Sequence, residues 1–142
     1  MTTESVSVEW VRDQVFLMRD HQNFPVVMTQ PMGVSGADLL PLSLVGCAIW
    51  DVMAILLKQK QRVSRCEVLA ESERDADPPW QFRRIRIVYH LTGKKLDEKA
   101  VKRAIHLVEE KYCSVYATLK GAVELVSEYH IQEIGSEELG KS

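Results

Sequence analysis

The segment at residues 38–60, DLLPLSLVGCAIWDVMAILLKQK, decides the fold of this 142-residue chain. It is the longest apolar run in the sequence, and Asp51 is the only charged residue between Leu39 and Leu57. At ~1.5 Å rise per residue, a helix over this segment extends for roughly 30 Å, about the width of a small domain. A helix that is apolar on every side has to be enclosed on every side. We therefore predict a long, buried central helix with Asp38 as its N-cap.

Two environments can enclose such a helix, a lipid bilayer and the interior of a soluble protein. About 20 apolar residues are enough to span a bilayer. A carboxylate in mid-bilayer is costly, however, and Asp51 would lie there. The flanking segments are also charge-rich and regularly patterned. We therefore favour a soluble protein with no membrane partner.

The composition narrows the functional classes. A chain of 142 residues has the length of one domain, and its net charge of −2 is spread along the sequence without a basic stripe. No nucleic-acid partner is therefore expected. The N-terminal sequence MTTESVSVEW lacks the basic and apolar regions of a signal peptide, so we expect a cytoplasmic protein.

The cysteines and histidines do not form a metal-binding pattern. Cys47, Cys66 and Cys113 are an odd number, and none belongs to a CxxC motif. In a reducing compartment they would not form structural disulfides. The four histidines are scattered, without HExxH or Cys/His spacing. We therefore expect neither a metal nor a cofactor.

Alternating and helical patterns predict an α+β fold. SVSVEW, VFLMR and PVVMT read as short strands, with VRDQ as the first hairpin turn. After the central helix, CEVLAESER and QFRRIRIVYHLTG read as paired strands, with a bulge or a late strand start between Phe82 and Ile85. Asp97 caps a helical stretch that runs to Gly121, and AVELVSEYHIQEI supplies the last strand. Strands segregated from helices indicate antiparallel sheets, in one domain over residues 1–134 with a flexible tail at 135–142.

Arg83, Arg84 and Arg86 lie together in the longer of the two paired strands. They allow two interpretations, a ligand-binding patch or a solvated strand face. The strand before them carries glutamates on its polar face, so the arginines can pair across the sheet. We favour the solvated face.

Four local motifs resemble those of one protein family. GCAIWDVMAIL around Cys47, the strand CEV with its ER, the turn LTG and EKYCSV around Cys113 are similar to segments of the OsmC/Ohr superfamily. They are most similar to its YhfA-like branch, and the resemblance extends from about Val6 to Ile131. It implies an α+β homodimer of intertwined chains, with long central helices enclosed between the sheets.

The resemblance also implies a chemistry, the reduction of organic hydroperoxides with a thiol reductant. By motif, Cys47 matches the peroxidatic cysteine and Cys113 the resolving cysteine, whereas Cys66 lies outside both motifs. Family enzymes ionise the peroxidatic thiol with a hairpin arginine oriented by an acidic residue. Arg12 and Asp38 are the matching positions here, and Arg19 is an alternative to Arg12.

Two functional hypotheses remain open on the sequence. The first is a thiol-dependent peroxidase, in which a second thiol traps the sulfenic acid formed on the first. The second is a binding protein that holds a small apolar ligand at the dimer interface without turnover. In that case Cys47 is a small buried hydrophobic residue, as free cysteines often are.

Overall fold

The computed structural model describes residues 1–29 and 33–134. Pro31, which was expected to interrupt the pattern before the central helix, and the tail predicted at residues 135–142 lie outside the described residues. The chain forms two compact units, Met1–Leu40 and Pro41–Ser142. The single domain over residues 1–134 stays a prediction.

Six strands and three α-helices are defined in the described part of the chain. The strands are β1 (Ser7–Arg12), β2 (Val15–Arg19), β3 (Pro25–Thr29), β4 (Arg62–Arg74), β5 (Phe82–Lys94) and β6 (Glu124–Glu133). The helices are α1 (Leu39–Lys58), α2 (Glu98–Leu107) and α3 (Ser114–Leu119), and a π-helical turn (Val108–Tyr112) joins the last two.

The N-terminal unit is an antiparallel sheet with strand order β1–β2–β3. Trp10 pairs with Phe16, and after a shift in register Arg12 pairs with Val15 at the hairpin end. Asp13 turns the chain there with φ of 45°, a left-handed conformation that aspartate tolerates in tight turns. The three predicted strands and their first hairpin are confirmed.

The C-terminal unit contains a sheet with strand order β4–β5–β6. Strands β4 and β5 pair antiparallel, and the register shift between Glu73 and Arg74 confirms the bulge expected near Phe82. Strand β6 pairs parallel to β5, so the prediction of purely antiparallel sheets was wrong. The reason is the connection, because α2, the π-turn and α3 carry the chain back along the sheet before β6 begins.

The core of the C-terminal unit lies between one face of this sheet and the helices. Alternate residues of β5 point into it: Ile85, Ile87, Tyr89 and Leu91. Helix α1 contributes the buried residues Leu44, Ala48, Val52 and Leu56. Helix α2 begins where predicted, since the Asp97 carboxylate accepts the Lys99 N–H at 3.0 Å.

Helix α1 is buried on one face only within the single chain. Leu42, Trp50 and Leu57 lie on the opposite face, and Trp50 is 78% exposed. The all-round burial predicted from its composition is therefore not provided by this chain alone. By length and composition α1 could cross a membrane, but core helices of soluble proteins meet the same criteria.

Exposed ion pairs engage the arginines of β5, and the one between Arg86 and Glu71 crosses to β4 as predicted. Arg86 donates to Glu71 at 2.7 Å, and Arg83 donates to Asp75 at 2.9 Å. The hydrogen bond from Arg83 holds the pKa of Asp75 below its ordinary value. These pairs are solvent-exposed, so each contributes little to stability. They support the solvated-face interpretation of the arginines.

Candidate active site

Cys47 lies near the middle of α1, at the boundary between its buried and exposed faces. Its neighbour on the buried side is Ala48, and Trp50 lies on the exposed side. The thiol is half-buried and unoxidised. A Cβ added at Gly46 would meet nothing within 4 Å, so the helix surface beside Cys47 is open in this chain.

Cys113 lies at the junction of the π-turn and α3. Its backbone N–H donates to the Val108 carbonyl at 2.8 Å, which closes the wide turn, and its own φ and ψ are extended. The Sγ atom then caps α3 by accepting the Tyr116 N–H at 3.3 Å. The sequence predicted continuous helix here. A π-turn widens the helix by one residue, and such turns are common at functional sites.

The two thiols belong to the same core of the C-terminal unit. Cys113 is buried within that core, and the half-buried Cys47 packs against it. Burial first, and then the interaction with Cys47, raise the pKa of Cys113 to about 11. Cys113 is therefore a neutral thiol at physiological pH.

Cys66 is separate from that contact. It lies on the inward face of β4, half-buried, and burial raises the pKa of its thiol. Its position requires only a small apolar side chain. This agrees with its place outside both cysteine motifs.

Glu109, Tyr89 and Tyr116 form an interacting group in the part of the structure that contains Cys113. The Ser127 hydroxyl donates to the Glu109 carboxylate, which also interacts with the Tyr116 side chain. Desolvation raises the pKa of Glu109, and the hydrogen bond from Ser127 opposes that shift. Burial raises the pKa of Tyr89 most, followed by the charges of Glu109 and Cys113.

Sequence reasoning did not find these three neighbours. The alternating pattern identified Tyr89 and the helical pattern identified Tyr116, but only as apolar core positions. Neither pattern singled out Glu109. The only available signal was local, since Glu109, Tyr116 and Cys113 all lie in or next to EKYCSV.

Arg12 and Asp38 belong to the N-terminal unit. Arg12 ends β1 with an exposed side chain, and Asp38 lies in the turn before α1, where its N–H donates to the Ser35 hydroxyl at 3.4 Å. Arg19, the alternative cation, donates to the Asn23 carbonyl at 3.1 Å. Within residues 1–29 and 33–134, no group of three or more His, Cys, Asp or Glu side chains could hold a metal ion.

Comparison with known proteins connects this geometry to a family. The sequence profile described as OsmC-like protein matches residues 29–128. Protein YhfA of Escherichia coli strain K12 is 35% identical over 127 residues, covering 87% of this chain and 95% of YhfA. The crystal structure of a hypothetical protein from Aquifex aeolicus is 27% identical with a TM-score of 0.84, covering 95% of this chain and 100% of that chain. The organic hydroperoxide resistance protein OhrB of Bacillus subtilis is similar in fold, with a TM-score of 0.59 at 14% identity, covering 91% of this chain and 98% of OhrB.

Proposed function

Because this chain belongs to the OsmC-like protein family, we propose that it is a thiol-dependent peroxidase that reduces organic hydroperoxides. The observation that carries the proposal is that Cys47 and Cys113 share one core of the C-terminal unit, where the two thiols interact. A peroxidase of this type needs a second thiol beside the first, so that the sulfenic acid is trapped before further oxidation. Structural neighbours named for organic hydroperoxide resistance support the choice of substrate.

The two cysteines take different roles in the reaction. The Cys47 thiolate attacks the distal oxygen of the hydroperoxide, the O–O bond breaks, and the alkoxide leaves as an alcohol after taking a proton. Cys47 is then a sulfenic acid. Cys113 attacks its sulfur, water leaves and a disulfide forms, which an external thiol reductant returns to two thiols. Half-buried Cys47 suits the encounter with peroxide, and buried Cys113 suits the internal step.

Ionisation of Cys47 requires a cation, and Arg12 is the proposed source. Asp38 would orient the guanidinium from the turn before α1. The bond from Arg19 to the Asn23 carbonyl supports this choice, since it engages Arg19 within its own hairpin. A positive charge beside a cysteine lowers its pKa and raises the thiolate fraction.

We further propose that the working form is a cytoplasmic homodimer. The support is the face of α1 that carries Leu42, Trp50 and Leu57, which this chain leaves exposed. Burying apolar surface is worth about 25 cal/mol per Å², so such a face favours association. A second copy of the same helix would cover the apolar face of α1 that the single chain leaves exposed.

The test uses one equivalent of cumene hydroperoxide and intact-mass analysis of the reduced protein. The wild type should form a Cys47–Cys113 disulfide. Cys47→Ser should consume no peroxide above background, whereas Cys113→Ser should stop as a sulfenic or sulfinic acid on Cys47. Cys66→Ala is the matched control and should behave like the wild type. Arg12→Ala should slow the first step, and Arg19→Ala should not.

The outcome decides between the two hypotheses. If Cys47→Ser consumes peroxide as fast as the wild type, the peroxidase proposal is wrong. The binding of a small apolar ligand then replaces it, and mass spectrometry of the purified protein would identify the bound compound.

A further inference from the structure

A surface groove of about 210 Å³ lies where α1 leads into β4, beside the end of β5. Among the described residues, five line it, and four of these are cations: Lys60, Gln61, Arg62, Lys94 and Lys95. Neither an acidic residue nor a cysteine is among them. The groove thus gathers four positive charges in a chain whose net charge is −2. Such a concentration of one sign of charge attracts anions.

Two of these cations are held directly opposite each other. Arg62 begins β4 and Lys94 ends β5, and the two residues are paired across the antiparallel strands. Directly opposite side chains start roughly 5 Å apart, so like charges there repel each other. The strands also approach closely beside this pair, because a Cβ added at Gly93 would lie 2.2 Å from the Arg62 carbonyl oxygen. The backbone therefore keeps the two positive charges together.

The other two cations lie in tight turns that bring them to the same groove. After α1, the Lys60 N–H donates to the Leu57 carbonyl at 3.0 Å, and the Gln61 N–H donates to the Leu56 carbonyl at 2.9 Å. Lys60 has φ of 59° there, a conformation that glycine usually supplies at a helix end. Lys95 has φ of 52° after β5. Stability of the turns alone would favour glycine at both positions, but the chain has a cation at each.

The nearby polar groups hold the backbone and leave these cations without an ion pair. Both carboxylate oxygens of Glu133 accept the Lys95 backbone N–H, at 2.9 and 3.0 Å. The side-chain oxygen of Gln61 accepts the Asp97 N–H at 2.9 Å, which leaves the amide nitrogen of Gln61 as a donor. In residues 1–29 and 33–134, no ion pair includes any of the four cations that line the groove.

The dipole of α1 explains only part of this cluster. Lys58 and Lys60 suit the C-terminal end of the helix, because the dipole is negative there. That effect fades beyond the last turn, whereas Lys94 and Lys95 belong to β5 and the turn that follows it. Cations that come from the end of a helix and from two strands instead fit an anion bound between these elements.

We propose that this groove binds a small anion with two phosphoryl groups. Each phosphoryl group carries about −1.5 to −2 at neutral pH, so two of them match the four cations. Arg62 offers a planar fork for bidentate hydrogen bonds to phosphate, the three lysines add point charges, and the Gln61 amide adds a neutral donor. The groove is smaller than the roughly 300–1,000 Å³ of sites for drug-sized ligands, which favours a compact anion. Such a site is independent of the peroxidase reaction, because no cysteine is among its lining residues.

Isothermal titration calorimetry of the full chain with pyrophosphate, in metal-free buffer, tests the site. One pyrophosphate should bind per chain, roughly 10-fold or more tightly than orthophosphate, because the second phosphoryl group reaches cations that the first leaves unpaired. Binding should weaken as the salt concentration rises, since salt screens exposed charges. Adenosine diphosphate is titrated in parallel. Its tighter binding would assign a nucleoside diphosphate to the groove, and tighter binding of pyrophosphate would assign a free diphosphate.

Arg62→Gln and Lys94→Gln should each weaken pyrophosphate binding by about 10-fold, the size of one lost hydrogen bond to a charged group. Neither should lower the unfolding temperature of the ligand-free protein, since each removes one member of a like-charge pair. Lys95→Gln repeats the test outside the strand pair and should also weaken binding. Arg65→Gln is the matched control, because Arg65 lies on the same strand but pairs with Glu67 at 3.1 Å. It should retain the affinity of the wild type.

Three results would overturn this site. If the wild type binds pyrophosphate no more tightly than orthophosphate, the groove does not recognise two phosphoryl groups. If the groove variants keep the affinity of Arg65→Gln, their cations do not contact the anion. The third concerns the chain's own carboxylates, because Glu137 and Glu138 follow β6 in the sequence. If the double variant Glu137→Gln/Glu138→Gln binds pyrophosphate and the wild type does not, these carboxylates occupy the groove instead.

Discussion

Replacing Tyr89 with phenylalanine should stabilise the reduced protein. The Tyr89 side chain is 0% exposed in the folded state. Its hydroxyl lacks a hydrogen bond in the part of the chain that the structure describes. A buried, unpaired polar group costs about 1–3 kcal/mol. Phenylalanine keeps the buried ring and removes that cost, so we expect a gain of about 1–2 kcal/mol in the free energy of unfolding.

Urea unfolding of the reduced protein measures this gain. The midpoint should rise while the slope against urea stays constant, because the surface exposed on unfolding hardly changes. Protein concentration has to be equal for both variants, since the stability of the proposed dimer would depend on it. Tyr129→Phe is the control. Its hydroxyl donates to Glu98 at 2.8 Å, so losing it should cost up to about 1 kcal/mol.

A loss of stability in Tyr89→Phe would refute the reasoning. It would mean that the hydroxyl has a hydrogen-bond partner in solution, such as an ordered water.

Three further predictions concern the interface, the sheet and the acidic cluster. Trp50→Glu should shift the protein from dimer to monomer in sedimentation, because Trp50 is 78% exposed within one chain and its loss spares the core; an unchanged dimer would contradict the proposed interface. Gly93→Ala should destabilise the fold by about 3 kcal/mol or abolish it, because the added Cβ would lie 2.2 Å from the Arg62 carbonyl oxygen. If the variant unfolds at the same temperature as the wild type, the two strands can move apart to accommodate the Cβ and the prediction is wrong. Glu109→Gln should gain stability relative to the wild type as pH rises, since desolvation raises the folded-state pKa of Glu109 above its ordinary 4.5. Because the raised pKa favours the protonated folded state, the wild type loses this stabilisation as pH rises from about 4.5 through the folded-state pKa of Glu109. A stability difference between the two proteins that does not change with pH would contradict the prediction.

Patterns along the chain were enough to define most of the elements. The period of two in CEVLAESER and the capping position of Asp97 depend on neighbours close in sequence, and both were confirmed. The apolar segment at residues 38–60 likewise predicted α1, because its length and composition fix a helix without reference to the rest of the chain. The pairing of Cys47 with Cys113 came from resemblance, and their roles remain predictions.

Packing decided what those patterns could not. The parallel pairing of β6 with β5 depends on where the connecting helices end relative to the sheet. The one-sided burial of α1 depends on how much of its surface the single chain can cover. The π-turn places Cys113 at a helix cap and changes the register by one residue, a shift that helical periodicity in the sequence does not reveal. Sequence by itself determined which segments are helix or strand, since that follows from local propensity and periodicity. Only the tertiary structure put Cys47, Cys113 and Tyr89 into one core, because these residues are distant along the chain and meet only when helix and sheet are buried together.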